Sequence, residues 1–354
     1  MRVLLLIKRF DFGGAENHVC DLANELSLQG TDVFVMSPSG RQKKRLIKDV
    51  KHISLKLRSI LAPIQALYVA FVIKRKKIDV IHAHQNRAIF TASIASWLTS
   101  VPLVATIHGR TRYDMRTRLA RTKPVKIIFV SKRVRDASPM SEKINGRSEL
   151  IPNGIKIHSN NGSPIRYSMC YVSRIDRKHG QFLEMIITKV LPLIFPSHPS
   201  FSFLIVGEGK KLEHLKTLAD QLHKNTGKEI CYFAGYQDDL NYSVAESSLV
   251  IGAGRVAIAG LISGHAVLSA NINRLGGMIN TENYDQLSEN NFLDIRSSSP
   301  TPEALTDIIT GFLEKQDYWK NQAEILQKRA VNEFDISVIS SRISRVYEDA
   351  LKPV

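Results

Sequence analysis

Short apolar runs alternate with amphipathic segments along almost the whole chain, and this alternation limits the possible folds more than any other feature. Runs rich in Val, Ile and Leu are typical of strands that are buried on both faces. Helical segments between such strands predict parallel sheets covered by helices on both sides. The candidate strands are RVLLLIK, DVFVMS, DVIHAH, LVATIH, KIIFVS, SMCYVSRI, FSFLIVG, ICYFAG, SLVIGA and AVLSA.

The alternation pauses once, in a polar stretch near residues 156–165 that is rich in Asn, Ser and Gly. A chain of 354 residues has room for two domains, each with its own core. We therefore predict an α/β fold of two Rossmann-like, doubly wound domains that face a central cleft. The predicted parts are an N-terminal domain (1–160), a C-terminal domain (161–330) and a last helix (331–354) that returns to the first domain. Open α/β sheets bind ligands at the carboxyl ends of their strands.

The net charge of +16 is concentrated in the first half of the chain. Residues 1–150 contain 28 of the 49 lysines and arginines but only 11 of the 33 acidic residues. Basic stretches lie at 41–51, 74–77 and 110–126. A strongly basic half of a chain typically binds phosphate groups of nucleic acid, of anionic lipid or of a substrate. Aromatic residues are not interleaved with these stretches, so we expect no nucleic-acid partner and favour an anionic membrane surface.

The apolar segment at 60–73 lies between basic residues and contains Pro63. It is too short to span a bilayer, so it is either a core helix or a helix lying in the membrane interface. The apolar run Val3–Ile7 is too short for an export signal and predicts a buried first strand. Three widely spaced cysteines argue against a disulfide framework. We therefore expect a cytoplasmic protein on the inner face of the cell membrane.

The stretch FDFGGAENHV follows the first strand and starts a helix. Gly13 and Gly14 let the backbone approach a ligand, and the helix start offers free N–H groups to an anion. It is neither a Walker A motif nor a dinucleotide fingerprint, and a simple tight turn is the alternative. Glu16 and Asn17 either cap the helix or contact an acceptor.

Two further groups of polar residues follow strands. In YVSRIDRKHG, the cations Arg174, Lys178 and His179 could clamp a diphosphate, or could form a solvated loop. His82 and His84 of DVIHAH share one face of a strand end. They could form a zinc pair, but no third ligand is evident, so we expect no metal.

The order of these motifs resembles that of the retaining GT-B glycosyltransferases of family 4, the glycogen-synthase-like group. The resemblance covers nearly the whole chain and rests on nine landmarks in order: GGAE, DVIHAH, TIHG, FVS, LIPNGI, SRIDRKHG, IVGEG, FAGY and GAGRVAIAGLISGHAVL. It implies transfer of a sugar from a nucleotide diphosphate, with retention at the anomeric carbon and without metal or cofactor. We expect a UDP-sugar donor and a glycan or lipid-linked acceptor, such as a precursor of bacterial lipopolysaccharide or capsule.

The resemblance also assigns roles to residues. Gly14 would face the diphosphate, Arg174 would neutralise it, and His108 of TIHG would line the donor sugar at the reaction centre. His179 stands where the family has a lysine, with Lys178 adjacent. The expected donor-binding residues are Gly13, Gly14, Arg174, Lys178, His179, Gly207, Gly209, Gly252, Gly254 and Arg255. The expected acceptor-side residues are Glu16, Asn17, His84, Arg110 and Arg112.

One departure from the family pattern concerns the segment GAGRVAIAGLISG. The family usually has two glutamates there, one near the donor sugar and one on the ribose hydroxyls. The matching positions are Ile251 and Ala259. Loss of the ribose contact would cost about 1–3 kcal/mol, a factor of roughly ten to a hundred and fifty. Ala259 is therefore either an engineered inactivating substitution or the mark of a weakened natural member.

Two other functions fit the same fold. A nucleotide-sugar epimerase would need acidic and histidine groups for proton transfer, and no decisive set is evident. A noncatalytic glycan-binding member, degraded at Ala259, is the stronger alternative.

Overall fold

The structure is a computed structural model that describes residues 1–11, 13–58, 60–109, 115–138, 142–157, 164–237 and 239–352. The chain forms two compact units. Unit 1 consists of residues Met1–Lys156 and Phe334–Val354, and unit 2 of residues Ile157–Glu333. The two units are described separately below.

Each unit is built on one β-sheet. The seven strands of unit 1 are all paired in parallel, in the order β3-β2-β1-β4-β5-β6-β7. They are β1 (Arg2–Ile7), β2 (Asp32–Ser37), β3 (Lys51–Ser54), β4 (Val80–His84), β5 (Leu103–Ile107), β6 (Lys126–Phe129) and β7 (Ser148–Leu150). The six strands of unit 2 have the order β10-β9-β8-β11-β12-β13. They are β8 (Tyr167–Val172), β9 (Phe203–Val206), β10 (Cys231–Gly235), β11 (Ser247–Gly252), β12 (Ala266–Asn271) and β13 (Arg274–Met278).

Helices connect these strands. Those of unit 1 are α1 (Gly14–Leu28), α2 (Ala62–Lys76), α3 (Asn86–Thr99), α4 (Met115–Thr122), α5 (Lys132–Asp136) and, at the end of the chain, α14 (Ile336–Leu351). Those of unit 2 are α6 (Arg177–Met185), α7 (Leu191–Ile194), α8 (Leu212–Thr226), α9 (Leu240–Ala245), α10 (Arg255–Ile262), α11 (Tyr284–Ser288) and α12 (Pro302–Glu314). Helix α13 (Gln316–Phe334) ends at the boundary between the units.

The first strand shows why the sequence forms a sheet covered on both sides. Val3, Leu5 and Ile7 pack with apolar residues of α1 and α14, whereas Leu4 and Leu6 pack with α2 and α3. Successive strand residues point to opposite faces, so a fully apolar strand serves two cores at once. The predicted buried first strand and the two Rossmann-like sheets are confirmed.

Four elements differ from the sequence-based expectation. Strands β3, β7 and β13 were not predicted, because KHIS, SEL and RLGGM lack the apolar runs of central strands. All three are edge strands, and β13 pairs antiparallel with β12. The helix expected near 180–195 contains a π-helical turn (Ile186–Val190) just before Pro192, whose ring nitrogen cannot donate a helical hydrogen bond.

The chain closes unit 1 with its last helix. It leaves the unit beyond Ile155 and returns at Ile336, and the backbone N–H of Ile336 donates to the carbonyl of Ile155 over 3.0 Å. Helix α14 then packs against α1 and against β4 and β5. No helix in the part of the chain that the structure describes is long and apolar enough to cross a bilayer.

Candidate active site

Both sheets reverse their strand order at one point, which is where open α/β folds bind ligands. In unit 1 the reversal lies between β1 and β4, and in unit 2 between β8 and β11. Most of the residues expected to bind donor or acceptor follow these strands or the next one along the sheet. The site is therefore described one unit at a time.

The loop after β1 brings a carboxyl group to the start of α1. Gly13 has φ +143°, and a Cβ there would lie 2.3 Å from Oε2 of Glu16, so the carboxyl group folds back over this glycine. Gln85 Nε2, at the end of β4, donates to Glu16 Oε1 over 3.2 Å. Burial raises the pKa of Glu16, which is only 6% exposed. Part of the anion-binding helix start at Gly13 and Gly14 is thus already occupied by an acidic side chain.

Asn17 is engaged within the same loop. Its Nδ2 donates to the carbonyl of Gly13 over 3.1 Å, and its Oδ1 accepts from Arg45 Nη1 over 2.6 Å. Arg45 also pairs with Asp21 over 2.9 Å. These bonds attach the start of α1 to the basic segment 41–45.

Four histidines meet at the carboxyl ends of β4 and β5. His84 Nδ1 lies 3.0 Å from His108 Nε2, and the rings of His82 and His84 are 4.1 Å apart. His18 of α1 lies edge-on to His84 and His108, with ring centroids 6.2 and 5.8 Å away. The expected face shared by His82 and His84 is confirmed, and the structure adds His18 and His108 to it.

Each of these rings has a defined partner. The backbone N–H of Gly154 donates to His18 Nδ1 over 3.2 Å. His82 contacts Tyr347 of α14 through Nδ1 (2.6 Å) and Thr106 through Nε2 (2.7 Å). Burial, followed by repulsion from His108, lowers the pKa of His82 to about 3. His82 therefore stays neutral at physiological pH.

Sequence reasoning missed three cations that interact electrostatically with one another near the end of β1. Lys8 and Arg9 directly follow β1, and Arg87 lies in the first turn of α3, where its Nη1 donates to the carbonyl of Leu57 over 3.5 Å. Burial lowers the pKa of Lys8, and repulsion from Arg87 and Arg9 lowers it further. The sequence could have indicated these cations, because they directly follow strands that meet at the reversal point. Two cations that were expected on the acceptor side, Arg110 and Arg112, lie outside the described residues.

In unit 2 the loop after β8 carries the residues that were expected to clamp a phosphate. Arg174 is exposed and pairs with Asp176 over 3.0 Å. Asp176 caps α6 by accepting from the backbone N–H groups of Lys178 (3.2 Å) and His179 (3.3 Å). The His179 ring is half-buried and contacts Tyr171 Oη through Nδ1 over 2.7 Å, whereas the Lys178 side chain is exposed. The ammonium group of Lys178 is thus better placed than the His179 ring to contact an anionic ligand.

Gly207 and Gly209 shape this clamp from the neighbouring strand. A Cβ at Gly207 would lie 1.8 Å from the carbonyl oxygen of Ser173, and one at Gly209 would lie 2.1 Å from that of Ile175. Backbone bonds join the two loops: Ser173 donates to Val206 over 3.0 Å, and Ile175 donates to Glu208 over 2.9 Å. These glycines therefore allow the close packing that fixes the loop on either side of Arg174.

The loop after β11 makes a glycine turn into α10. Gly254 has φ +61°, and its N–H donates to the carbonyl of Asn291 over 2.7 Å. A Cβ at Gly252 would lie 2.8 Å from Cγ1 of Val256, so this position requires a small residue. Arg255 is the first residue of α10, and Ala259 lies one turn later with no exposed surface.

Metal ligation has no support among the residues that the structure describes. They contain no group of three or more His, Cys, Asp or Glu side chains with a geometry that could hold a metal ion. The four histidines at β4 and β5 are bonded to one another and to neighbouring protein groups instead.

Comparison with known proteins relates this chain to glycosyltransferases. The sequence model for Glycosyltransferase Family 4 matches residues 12–159. Among curated proteins, the phosphatidyl-myo-inositol mannosyltransferase of Mycobacterium tuberculosis (strain CDC 1551 / Oshkosh) is 23% identical over 380 residues, covering 95% of this chain and 93% of that protein. The protein of the same name from Mycobacterium leprae (strain TN) is also 23% identical, with the same coverage.

Solved structures share the fold over the whole chain. The Anabaena protein Alr3699/HepE, solved in complex with UDP, has a TM-score of 0.74 at 20% identity and covers 99% of this chain and 100% of its own. A glycosyltransferase from Rickettsia africae has a TM-score of 0.73 at 18% identity, with 99% of each chain covered. The match of residues 12–159 to family 4, the full-length mannosyltransferase relatives and the two Rossmann-like sheets together identify this chain as a glycosyltransferase with the GT-B fold.

Proposed function

We propose that this glycosyltransferase moves a sugar from a nucleotide diphosphate, a UDP-sugar, to a cell-surface glycan or glycolipid, with retention and without metal or cofactor. Two comparisons support the substrate classes. The curated relatives are named for transfer of mannose to phosphatidyl-myo-inositol, a lipid acceptor. Three of the similar structures were solved in complex with UDP, with UDP and glucose, or with UDP-glucose.

The observation that carries the proposal is the pair of loops at the reversal point of unit 2. The loop after β8 holds Arg174 and Lys178 at the start of α6, and the loop after β11 is the glycine turn 252–254. A diphosphate accepts hydrogen bonds from guanidinium and ammonium groups and from free backbone N–H groups. In the proposal these loops bind the nucleotide diphosphate, and Gly207 and Gly209 hold the first loop in place.

Unit 1 would supply the reaction centre and the acceptor side. His108 follows β5, and its Nε2 lies 3.0 Å from Nδ1 of His84, so it would contact the donor sugar as part of the histidine cluster. Glu16, Gln85 and the cations Lys8 and Arg87 lie at the neighbouring strand ends. An acceptor that carries phosphate would gain charge-assisted hydrogen bonds from these cations.

Ala259 offers the direct test of this proposal. The residue is fully buried in α10, so a glutamate there would need a polar partner, and ribose hydroxyls could provide one. Calorimetric titration of UDP, GDP, ADP and their common sugars into the protein and into Ala259→Glu would identify the donor. Binding of one nucleotide should strengthen at least tenfold in Ala259→Glu, because hydrogen bonds to a charged group are worth about 1.5–3 kcal/mol.

Ala259→Gln is the matched control, because it adds a side chain of the same length without the charge. It should recover only part of the gain. Thermal unfolding of all three proteins checks that the buried substitution leaves the fold intact. Absence of nucleotide binding in every folded form would contradict the transferase proposal and favour a noncatalytic glycan-binding protein.

A second part of the proposal places the protein on an anionic membrane surface. Helix α2 buries Ala62, Ala66 and Val69, as its interpretation as a core helix required. Its opposite side is also apolar, as the interpretation as an interfacial helix required. Helix α3, which packs against α2, has two further exposed apolar residues. This α2–α3 surface consists of Ile60 (91% exposed), Leu61 (38%), Ile64 (67%), Leu67 (60%), Tyr68 (44%), Phe71 (56%), Trp97 (72%) and Leu98 (37%).

Basic side chains lie at both ends of the α2–α3 surface. Lys56 and Arg58 precede α2, and the run 74–77 (KRKK) ends it, with every side chain of that run exposed. Apolar residues at helical spacing between cations are the pattern of a helix that lies in the headgroup region of a bilayer. Each cation adds about 1 kcal/mol near an anionic surface.

Co-sedimentation with vesicles tests this second part. We expect binding to phosphatidylcholine vesicles that contain phosphatidylglycerol, weaker binding in high salt, and strong loss in the double variant Ile64→Gln/Phe71→Gln. The control Leu193→Gln/Ile325→Gln removes two exposed apolar residues of unit 2 (55% and 49% exposed) and should bind normally. Equal binding of the two double variants would contradict the proposed surface.

A further inference from the structure

Two consecutive residues of unit 2 have a left-handed backbone although neither of them is glycine. Asn291 has φ +56° and Phe292 has φ +55°, in the turn that follows α11. Asparagine often adopts this geometry, but for a bulky residue such as phenylalanine it is a conformational outlier. Strained residues of this kind persist where the surrounding structure holds them, and they are concentrated at active sites and ligand clamps. The contacts of this Asn291–Phe292 turn therefore indicate its role.

The Asn291–Phe292 turn is bonded on both sides of the glycine turn 252–254. The carbonyl of Asn291 accepts from the N–H of Gly254 over 2.7 Å. The carbonyl of Phe292 accepts from Ser269 Oγ over 2.7 Å, and Ser269 is the residue of β12 that lies beside Gly252 in the sheet. One bond thus reaches the end of the glycine turn, and the other reaches the strand next to its start.

The ring of Phe292 fixes the turn within unit 2. It has no exposed surface and meets the buried ring of Tyr284 edge-on, with ring centroids 5.3 Å apart. The N–H of Phe292 also donates to the carbonyl of Leu287 over 2.7 Å. Because protein interiors are close-packed, the ring cannot move without disturbing its neighbours. Packing therefore holds the strained conformation in place.

Gly254 was expected to bind the donor, and the structure shows that its N–H is engaged by the Asn291 carbonyl. Gly254 therefore acts on a ligand through the shape of its turn rather than through this N–H group. It directly precedes Arg255, the first residue of α10. A displacement of Gly254 would consequently displace the start of that helix.

We propose that the Asn291–Phe292 turn is a positioning element of the nucleotide site, which holds the glycine turn 252–254 because its left-handed backbone directs the Asn291 carbonyl at Gly254. The effect on nucleotide binding rests on the proposed function, whereas the hold on Gly254 does not. Residue 291 acts through its backbone. Glycine can therefore replace Asn291, because it adopts positive φ freely, whereas a β-branched residue cannot.

Hydrogen exchange of the Gly254 amide in the full chain tests this hold directly. NMR with ¹³C-carbonyl alanine and ¹⁵N-glycine selects the Ala–Gly pairs, which end at Gly235, Gly254 and Gly260, and the Gly254 signal is the one lost in Ala253→Ser. The amide of Gly254 should stay as protected as in the wild type in Asn291→Gly. In Asn291→Val its protection should fall roughly tenfold or more, because the turn must leave the left-handed region. The signals of Gly235 and Gly260 show whether each variant is folded.

Ser269→Ala provides a second variant that removes only one oxygen atom. It breaks the bond to the Phe292 carbonyl, so it should lower the protection of Gly254 in the same direction as Asn291→Val. Ser168→Ala removes a half-buried hydroxyl group near the start of β8 and should leave that protection unchanged. Wild-type protection of Gly254 in a folded Asn291→Val would overturn the proposal. If Asn291→Val does not fold, wild-type protection in Ser269→Ala would overturn it.

Calorimetric titration with UDP, GDP and ADP tests the consequence for nucleotide binding. Asn291→Val should bind the preferred nucleotide roughly tenfold more weakly, and Asn291→Gly should bind it within about twofold of the wild type. Gly227→Val is the matched control, because it puts the same residue at a left-handed position of unit 2 where nothing lies within 4 Å of a Cβ. It should lose stability but bind normally.

The outcomes separate this proposal from the proposed function. Equal loss of binding in Asn291→Val and Gly227→Val would overturn the positioning role, and so would full affinity in an Asn291→Val whose Gly254 amide has lost its protection. A wild-type chain that binds none of the three nucleotides would overturn the proposed function instead. The exchange result would then still decide whether the turn holds Gly254.

Discussion

A single glycine shows how the phosphate loop of unit 2 depends on backbone packing. Gly207 has φ +137°, and a Cβ there would lie 1.8 Å from the carbonyl oxygen of Ser173, next to Arg174. Gly207→Ala should therefore displace the loop, weaken nucleotide binding at least tenfold and destabilise unit 2 by about 1–3 kcal/mol. Calorimetric titration with the identified nucleotide and thermal unfolding measure the two effects.

Gly227 provides the control for that prediction. It also has a left-handed backbone (φ +68°), but nothing lies within 4 Å of a Cβ built there. Gly227→Ala should cost about 1–2 kcal/mol through backbone strain alone and leave nucleotide binding unchanged. Equal loss of binding in both variants would show that stability, not the position of Arg174, explains the effect at Gly207.

Glu16, again a single residue, gives a prediction about how the stability of the protein depends on pH. Burial raises its pKa in the folded state above the value of the unfolded chain. The stabilisation by the protonated carboxyl group is complete below the unfolded pKa of about 4.3 and is lost as pH rises through the folded pKa. Glu16→Gln, which keeps the acceptor for Gln85, should therefore match the wild type in acid and be the more stable protein at neutral pH.

Urea unfolding at a series of pH values measures this difference. Glu282→Gln, at an exposed position, should follow the wild type throughout. A constant offset between Glu16→Gln and the wild type from acid to neutral pH would contradict the assignment of a raised pKa to Glu16.

Among the helices, α14 depends on one buried hydroxyl group. Tyr347 is fully buried, and its Oη lies 2.6 Å from Nδ1 of His82 on β4. Tyr347→Phe leaves a buried ring nitrogen without its partner, which should cost about 1–3 kcal/mol. Tyr318→Phe, at a half-exposed position of α13, should change the unfolding free energy by less than about 0.5 kcal/mol. Similar losses of unfolding free energy in both variants would show that this hydrogen bond does not stabilise the docking of α14.

The contacts of α14 also show which features of the helices and strands could be predicted from the sequence and which could not. The apolar runs of β1, β4 and β8 predicted the central strands, because strands buried on both faces are mostly apolar along their length. The partners of a side chain across the fold follow from register and helix docking instead. DVIHAH therefore predicted that His82 and His84 share a face, whereas His18, His108 and Tyr347 joined them only through the pairing of β4 with β5 and the return of α14.

Helix α2 shows why alternatives from one pattern need not exclude each other. The segment 60–73 is apolar all round, so its sequence could not separate a core helix from an interfacial one. In the structure one side packs into unit 1 and the other remains exposed with Ile64 and Phe71. Which side of such a helix is covered depends on the neighbouring helix, and the sequence of α2 alone does not contain that information.

At the scale of the whole molecule, the two units have separate hydrophobic cores. The cores of unit 1 lie on the two faces of its sheet, and the core of unit 2 is formed by β8–β12 with α6, α8 and α12. Unit 1 is discontinuous in sequence, because α14 belongs to it. Separate cores predict that a substitution in one unit destabilises that unit first, since a multidomain chain need not unfold as one cooperative system.

Differential scanning calorimetry of two variants tests this independence. Tyr347→Phe should lower the transition of unit 1, and Gly227→Ala that of unit 2, each by about 2–4 °C per kcal/mol lost. The nucleotide identified by titration should raise the unit 2 transition alone, because a ligand stabilises the unit that it binds in the folded state. A single transition that moves equally with either variant and with nucleotide would instead show that the two cores unfold together.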